Sequence, residues 1–348
     1  RASIHQAGWL AEKFRVVASK PLINGVLRRF QRELDQGYDP RQFHPIELAE
    51  SIPGWMFRRW SGLYGEEEAR TICRASNQYA GLHVCMASPE LSEAVREECI
   101  RKEISFRRHD SIPEMLRVNE GSRIWETQAF LRGWISVIDP ASMLFLHWAK
   151  PWIRGRILDA CAAPGGKSMK ICGFPEVQDL YLSDISHARL LRLQENFRRI
   201  HAAVSGILRS DGRALPFASE TFDCVLLDVP CSSTGTLQKN PDIKWSASEK
   251  DLLRHLDLQQ MLLEEGARVL RPGGVLVYAT CSLEPEENEM QAYHFLERHS
   301  SFIPEAPKKE TTGKPEGSGD LAEGTLKLLP DKSHGGFFAA AFRRRLES

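Results

Sequence analysis

The chain has 348 residues, 46 basic against 46 acidic side chains, a net charge of +0, 42% hydrophobic and 26% charged residues. At roughly 100–200 residues per domain the length predicts two domains, with room for a partial third, and the composition excludes bulk disorder, collagen and a disulfide-scaffolded miniprotein. No run approaches the roughly 18 uncharged apolar residues of a membrane span, and zero net charge, taken alone, argues against a nucleic-acid partner.

Residues 1–35 read as helix, with Leu22, Val26, Leu27 and Phe30 carrying Arg28, Arg29 and Arg32 between them. Asp39-Pro40 and His44-Pro45 mark a break. Residues 53–76 read as further helix, drawing apolar contacts from Trp55, Trp60, Leu63 and Ile72. From about 80 to 118 shorter pieces bounded by Pro89 and Pro113 suggest a small α/β module. Residues 133–149 are apolar but broken by Asp139. Beyond 120, buried strands are expected at Arg156 to Ala160, Leu180 to Asp184, Val204 to Ser210, Phe222 to Asp228 and Val275 to Thr280. Between them Leu190, Leu193, Phe197 and Ile200 mark one helix, and Leu252, Leu256, Leu263, Ala267 and Leu270 another. Ser246 with Glu249 is a capping-box candidate for the second, and Pro272-Gly273-Gly274 its stop. Strands alternating with helices specify a mostly parallel sheet covered on both faces. Residues 304–324 read as a mobile loop, and Gly336 to Phe342 as a last strand.

The eight cysteines form no Cys-x-x-Cys pair, so no metal is expected, and their scatter suits a reducing cytoplasm. Arg1 to Lys20 lack a signal-peptide core, and the chain opens on Arg rather than Met, so residues before it are expected to be missing.

The stretch Asp159-Ala-Cys161-Ala162-Ala163-Pro164-Gly165-Gly166-Lys167 follows a strand and opens a helix. Two adjacent glycines fit an ordinary turn as well as a close approach to a ligand. Asp184, about 20 residues on at the next strand end, tips that balance, because an acid there binds ribose hydroxyls. Asp211 and Asp228 follow the next two strands, so four strand-end carboxylates are expected to line one crevice. Such a crevice suits a cationic nucleoside, S-adenosylmethionine, better than a pyrophosphate. No P-loop spacing is present.

Two further strand ends carry Asp228-Val-Pro-Cys231-Ser and Thr280-Cys281-Ser. One strand-end cysteine is usually packing; two on adjacent edges facing a methyl donor point to chemistry. Pro285 with Glu286 and Glu287 fits a helix first turn, which would lower the Cys281 thiol pKa and favour the thiolate.

Together these motifs resemble the RNA cytosine-C5 methyltransferases of the NOL1/NOP2/Sun group, over roughly Ile138 to Phe342. Leu22 to Glu33, His44-Pro45 and Trp60-x-x-x-Tyr64-Gly65 are similar to the NusB-like region, and the segment after it, of the bacterial small-subunit rRNA branch. The resemblance implies a Rossmann-like class I methyltransferase domain, seven strands with the last antiparallel, over residues 121–348. It also implies a C-terminal remnant of a NusB-like RNA-binding domain over 1–45 and an RNA-binding linker domain over 46–120. Cys161 to Lys167 would cradle the methionine part of the donor, Asp184 its ribose, and Arg189, Asp211 and Gly212 would complete the pocket. Asp228 would lie between donor and nucleobase as base or ring stabiliser, Cys281 would be the nucleophile, and Cys231 would release the product. The implied partner is RNA, most simply small-subunit rRNA presenting a single-stranded or loop cytosine, met by a cytoplasmic monomer without membrane or metal.

Rivals are a nicotinamide dehydrogenase, which lacks its full glycine fingerprint here, a non-catalytic rRNA assembly factor, a tRNA-directed relative and a DNA cytosine methyltransferase. Zero net charge does not exclude RNA. Residues 1–60 hold ten basic and six acidic side chains, net +4, leaving 36 basic and 40 acidic elsewhere, net −4. The basic excess, with Arg28, Arg29 and Arg32 clustered, fits phosphate contacts as well as an ordinary solvated helix face.

Overall fold

A computed structural model describes residues 2–39, 49–78, 80–118, 121–248, 254–307 and 324–346. Two compact units divide the chain, residues 1–59 and 60–348. In the first, α1 (Ala2–Lys13) and α2 (Lys20–Asp35) replace the single helix expected over 1–35. The interruption falls at Arg15, whose φ of 58° is left-handed, and Pro21 in the first turn of α2 suits a new start. The apolar row of α2 is present but faces outward, with Leu22 at 70%, Val26 at 58% and Phe30 at 43% exposure. Arg28, Arg29 and Arg32 are exposed beside it, and Arg29 pairs with Glu33 at 2.9 Å. His44-Pro45 and Pro40 lie outside the described residues.

The helix expected over 53–76 is likewise two, α3 (Gly54–Tyr64) and α4 (Glu66–Ser76), divided at Gly65. Gly65 has φ 85°, which glycine adopts without strain. Trp60 and Ile72 are fully buried as expected, whereas Leu63 is 42% exposed.

In the larger unit, β1 (Leu82–Met86), β2 (Phe106–Arg108), β3 (Met115–Val118) and β4 (Ile135–Val137) form an antiparallel sheet ordered β2-β3-β1-β4. Helix α5 (Ser92–Arg101) contributes Val95 and Cys99 to a core shared with Val84, Leu116 and Ile135.

The main sheet holds β5 (Gly155–Asp159), β6 (Val177–Asp184), β7 (Gly206–Arg209), β8 (Phe222–Asp228), β9 (Leu270–Thr280), β10 (Phe302–Pro304), β11 (Thr325–Leu328) and β12 (Phe337–Arg344). Its order is β10-β12-β9-β8-β5-β6-β7, with β11 paired to β12. Strands β5 to β9 run parallel, and β12 lies antiparallel to β9, the class I methyltransferase arrangement expected. Continuous burial, as in Val275 to Thr280, marks strands covered on both faces. One covering layer includes α6 (Pro140–Ala149), α7 (Gly166–Ile171) and α8 (His187–Arg199), with Phe145, Leu190, Leu193 and Phe197 in its core. The other includes α9 (Leu256–Val269) and α10 (Glu289–Arg298), with Leu262, Leu263 and Phe295 packed on Phe338 and Phe342.

Chain order reverses at β5, with β6 and β7 to one side and β8 and β9 to the other. That switch opens a crevice beyond the strands' carboxyl ends.

Two local expectations change. Ser246 does not cap α9: its hydroxyl donates to the Asp242 carbonyl, and the helix starts at Leu256; Glu249 lies outside the described residues. Helix α9 stops at Val269, and Pro272-Gly273-Gly274 already belong to β9, because Leu270 pairs with Phe222. Most of the loop expected over 304–324 lies outside the described residues.

Candidate active site

Strand β5 delivers Asp159 to the crevice end, but not as a lining residue. It is 3% exposed, accepts a hydrogen bond from Ser168 Oγ at 2.6 Å, and burial pushes its carboxyl up to about 6. Three strand-end carboxylates, not four, therefore line the crevice. The loop after Asp159 turns through Gly165 at φ 103°, where a Cβ would meet Leu193 Cγ at 3.3 Å. That left-handed backbone favours glycine whatever the space, and Leu193 packs closely beside it.

Asp184, Asp211 and Asp228 line a cavity of about 540 Å³ together with Cys161, Arg189 and Gly212. Asp184 is held in place: Oδ2 accepts from Ala163 N at 3.2 Å, Oδ1 from Ser186 N at 2.9 Å, and Arg189 stands 3.7 Å away. Arg189 also donates to the Ala163 carbonyl, so it braces the loop that it flanks. Asp211 is held by Arg213 at 2.6 Å, which keeps its carboxyl below the usual range. A ligand with ribose hydroxyls and a positive centre fits this donor set; a pyrophosphate does not.

Of the glycine-rich stretch, Cys161 lines the cavity, and burial pushes its thiol up, away from reactivity. Ala162, Ala163, Pro164, Gly165 and Gly166 form the turn behind it. Lys167 faces elsewhere: its Nζ lies 2.6 Å from Asp228 Oδ2. Burial alone would lower the Lys167 pKa, but the Asp228 carboxylate overrides it and holds the ammonium above its ordinary value.

Asp228 and Cys281 also line a second cavity of about 190 Å³, with Lys167, Lys239, Asp139 and Phe337. At the seam between the two cavities Cys231 Sγ and Cys281 Sγ lie 3.4 Å apart. Ser233 Oγ is 3.3 Å from Cys281 Sγ, and Ser233 sits at a left-handed φ of 58°. The hydrogen bond with Cys231 pulls the Cys281 thiol below its ordinary range against burial, with Ser233 adding to the pull. The same bond, then burial, pushes Cys231 up. Of the two thiols Cys281 is thus the one favoured to ionise, and Cys231 the one favoured to keep its proton. The helix-terminus argument for Cys281 does not hold: residues 285–288 form a turn, and α10 begins only at Glu289.

Sequence reasoning missed what holds the thiols in register. Glu287, fully buried, accepts from Ser232 N at 2.9 Å, Ser232 Oγ at 2.5 Å and Gln259 Nε2 at 3.2 Å. Leu283 N donates to Thr234 Oγ1 at 2.9 Å and Gly235 N to the Cys281 carbonyl at 2.9 Å. A Cβ on Gly235 would come within 2.8 Å of that carbonyl and 2.7 Å of Gly336 O, so three backbones meet where no side chain fits. The available signal was the run of carboxylates after Cys281, which read as a helix start instead.

Among the described residues no helix is long and apolar enough to cross a membrane.

The 16S rRNA methyltransferase RsmB/F family model matches residues 147–343. A ribosomal RNA small subunit methyltransferase B from Escherichia coli is 33% identical over 314 residues, spanning 86% of this chain and 71% of that protein. Among solved structures, PH0851 superposes with a TM-score of 0.79 at 28% identity, covering 98% of this chain and 77% of that one. A methyltransferase homolog protein from Pyrococcus horikoshii superposes at 0.69 with 26% identity, covering 86% and 98%.

Proposed function

We propose, from the premise that this chain belongs to the RsmB/F family of S-adenosylmethionine-dependent RNA cytosine-C5 methyltransferases, that it methylates a cytosine of small-subunit ribosomal RNA through a covalent cysteine adduct. The observation that carries the reading is the thiol pair, 3.4 Å apart, at the seam where two cavities share Asp228 and Cys281. The larger cavity is the donor site, in which Asp184 takes ribose hydroxyls and Cys161, Arg189, Asp211, Gly212 and Asp228 line the rest. The smaller is the base site.

S-adenosylmethionine supplies an electrophilic methyl group when bound. Cytosine C5 is too weak a nucleophile to accept it unaided. Cys281 attacks C6 as the thiolate, which makes C5 an enamine carbon and divides one difficult step into two. Asp228, oriented by Lys167, faces the ring and stabilises the charge that develops on N3 and the exocyclic amine. After transfer a base removes the C5 proton and the Cys281–C6 bond breaks. Cys231, which holds its proton, promotes that release by returning a hydrogen bond to the departing sulfur. The target cytosine must leave its stack to enter, which suits single-stranded or loop RNA in the cytoplasm. Residues 1–45 and 46–120 serve as RNA-binding segments, and 121–348 catalyse.

The rRNA assignment is supported by the small-subunit relatives at about one-third identity. A denaturing gel with RNA and methyl donor tests the mechanism: Cys231→Ala accumulates a protein–RNA adduct, and Cys281→Ala gives none. The opposite pattern reverses the two roles. Bisulfite mapping of rRNA and tRNA, with and without the protein, tests the target. A lost tRNA mark, or none, removes the rRNA reading.

A further inference from the structure

The smaller cavity has two lysines in its wall, and the reaction above uses one. Lys167, 18% exposed, is committed to Asp228 inside the cavity, whereas Lys239 keeps 34% exposure. Lys239 therefore stands nearer the rim. Its backbone N–H donates to the Thr236 carbonyl at 2.9 Å, closing a turn on the loop that carries Cys231 and Ser233. The turn sets its ammonium against the Asp139 carboxylate. Asp139 is only half engaged there, because its Oδ1 accepts from Ala141 N at 2.7 Å and caps α6. Desolvation that this pairing does not offset pulls the Lys239 ammonium down to about 8, which leaves it mostly protonated at neutral pH.

A cytosine turned inward to bring C6 to Cys281 leaves its own phosphates outside, one ribose from the base. Those anions need a cation at the mouth, and Lys239 is the lysine placed there.

We propose that Lys239 is a phosphate clamp for the turned-out nucleotide, with Asp139 holding its ammonium in the free protein and a phosphate oxygen taking it over when RNA binds. The assignment rests on the smaller cavity being the base site. No bond is made or broken; one charge-assisted hydrogen bond is exchanged for another.

The test is binding of a 5′-labelled single-stranded RNA with one central cytosine to the full chain across a salt series, followed by methylation kinetics. For single strands, removing one phosphate-binding cation lowers the slope of log affinity against log salt by about 0.7. Lys239→Gln should lower the slope by about that amount and raise Kd on the order of tenfold. Its methylation defect should fall on KM rather than kcat, and Lys239→Arg should restore the slope. Asp139→Asn keeps the helix cap but releases the lysine, so it should bind RNA more tightly at low salt. A Lys239→Gln slope equal to wild type, or a defect confined to kcat, would overturn the clamp. If wild type binds RNA with the expected slope but never methylates it, the functional reading fails while the phosphate contact stands.

Discussion

The two cavities meeting at Asp228 and Cys281 are built on different charge plans. The larger is lined by three carboxylates, two of them braced by the arginines that also line it. The smaller pairs each acid with a lysine, Asp228 with Lys167 and Asp139 with Lys239. Matched pairs suit a neutral ring whose charge appears only during reaction; an excess of acid suits a ligand that arrives positive. Asp228 belongs to both plans, which places the seam where a methyl group would cross.

Substitutions can break that contrast in graded ways. Cys281→Ala removes the proposed nucleophile and should lower methylation by at least about 10³-fold in a single-turnover assay, with donor affinity retained. Asp228→Ala strikes both cavities: turnover should fall about 10²-fold, and thermal or urea unfolding should show a loss of about 2 kcal/mol as Lys167 is left unpaired. Asp184→Asn should act on one side only, raising the KM for donor by roughly tenfold while leaving that for RNA unchanged, as measured by titrating each substrate separately. Glu287→Ala touches neither ligand, yet leaves Ser232 N without its acceptor and takes one acceptor each from Ser232 Oγ and Gln259 Nε2. It should destabilise by about 2 kcal/mol and slow adduct formation only modestly.

A smaller effect follows pH. Asp159 titrates near 6 in the folded protein and near 3.9 unfolded, so between those values the folded state binds the extra proton. Its contribution therefore falls as pH rises from about 4 to 6, by up to about 3 kcal/mol, and stays low above that. Asp159→Asn should flatten this limb in urea titrations at successive pH values; an unchanged limb would mean that Asp159 is ionised throughout.

The parallel sheet was legible because its strands are long apolar runs and each ends in a residue with a chemical reason to be there. Asp184, Asp228, Cys231 and Cys281 could be placed from strand ends alone. Helix breaks at Arg15 and Gly65 were not, since a single left-handed residue leaves the apolar period on either side intact. Asp159 shared the pattern of its three neighbours and is as buried as Asp184; what separates it is that its carboxylate is turned to Ser168 and not to the cavity. The Glu287 network was hidden for a different reason. Its partners Ser232 and Gln259 lie 55 and 28 residues away, and no local spacing relates them.

The last strand carries a consequence for synthesis. Gly336 N donates to the Gly235 carbonyl at 2.7 Å, and Phe337, where β12 begins, forms part of the wall beside Cys281. A ribosome delivers this segment after every other piece of the site. Until β12 has emerged and inserted between β9 and β10, the smaller cavity lacks a side and the Cys231 loop lacks one of its backbone anchors. A nascent chain with all five parallel strands complete thus still lacks the wall that Phe337 supplies beside Cys281. The smaller cavity is complete only once β12 is paired with β9.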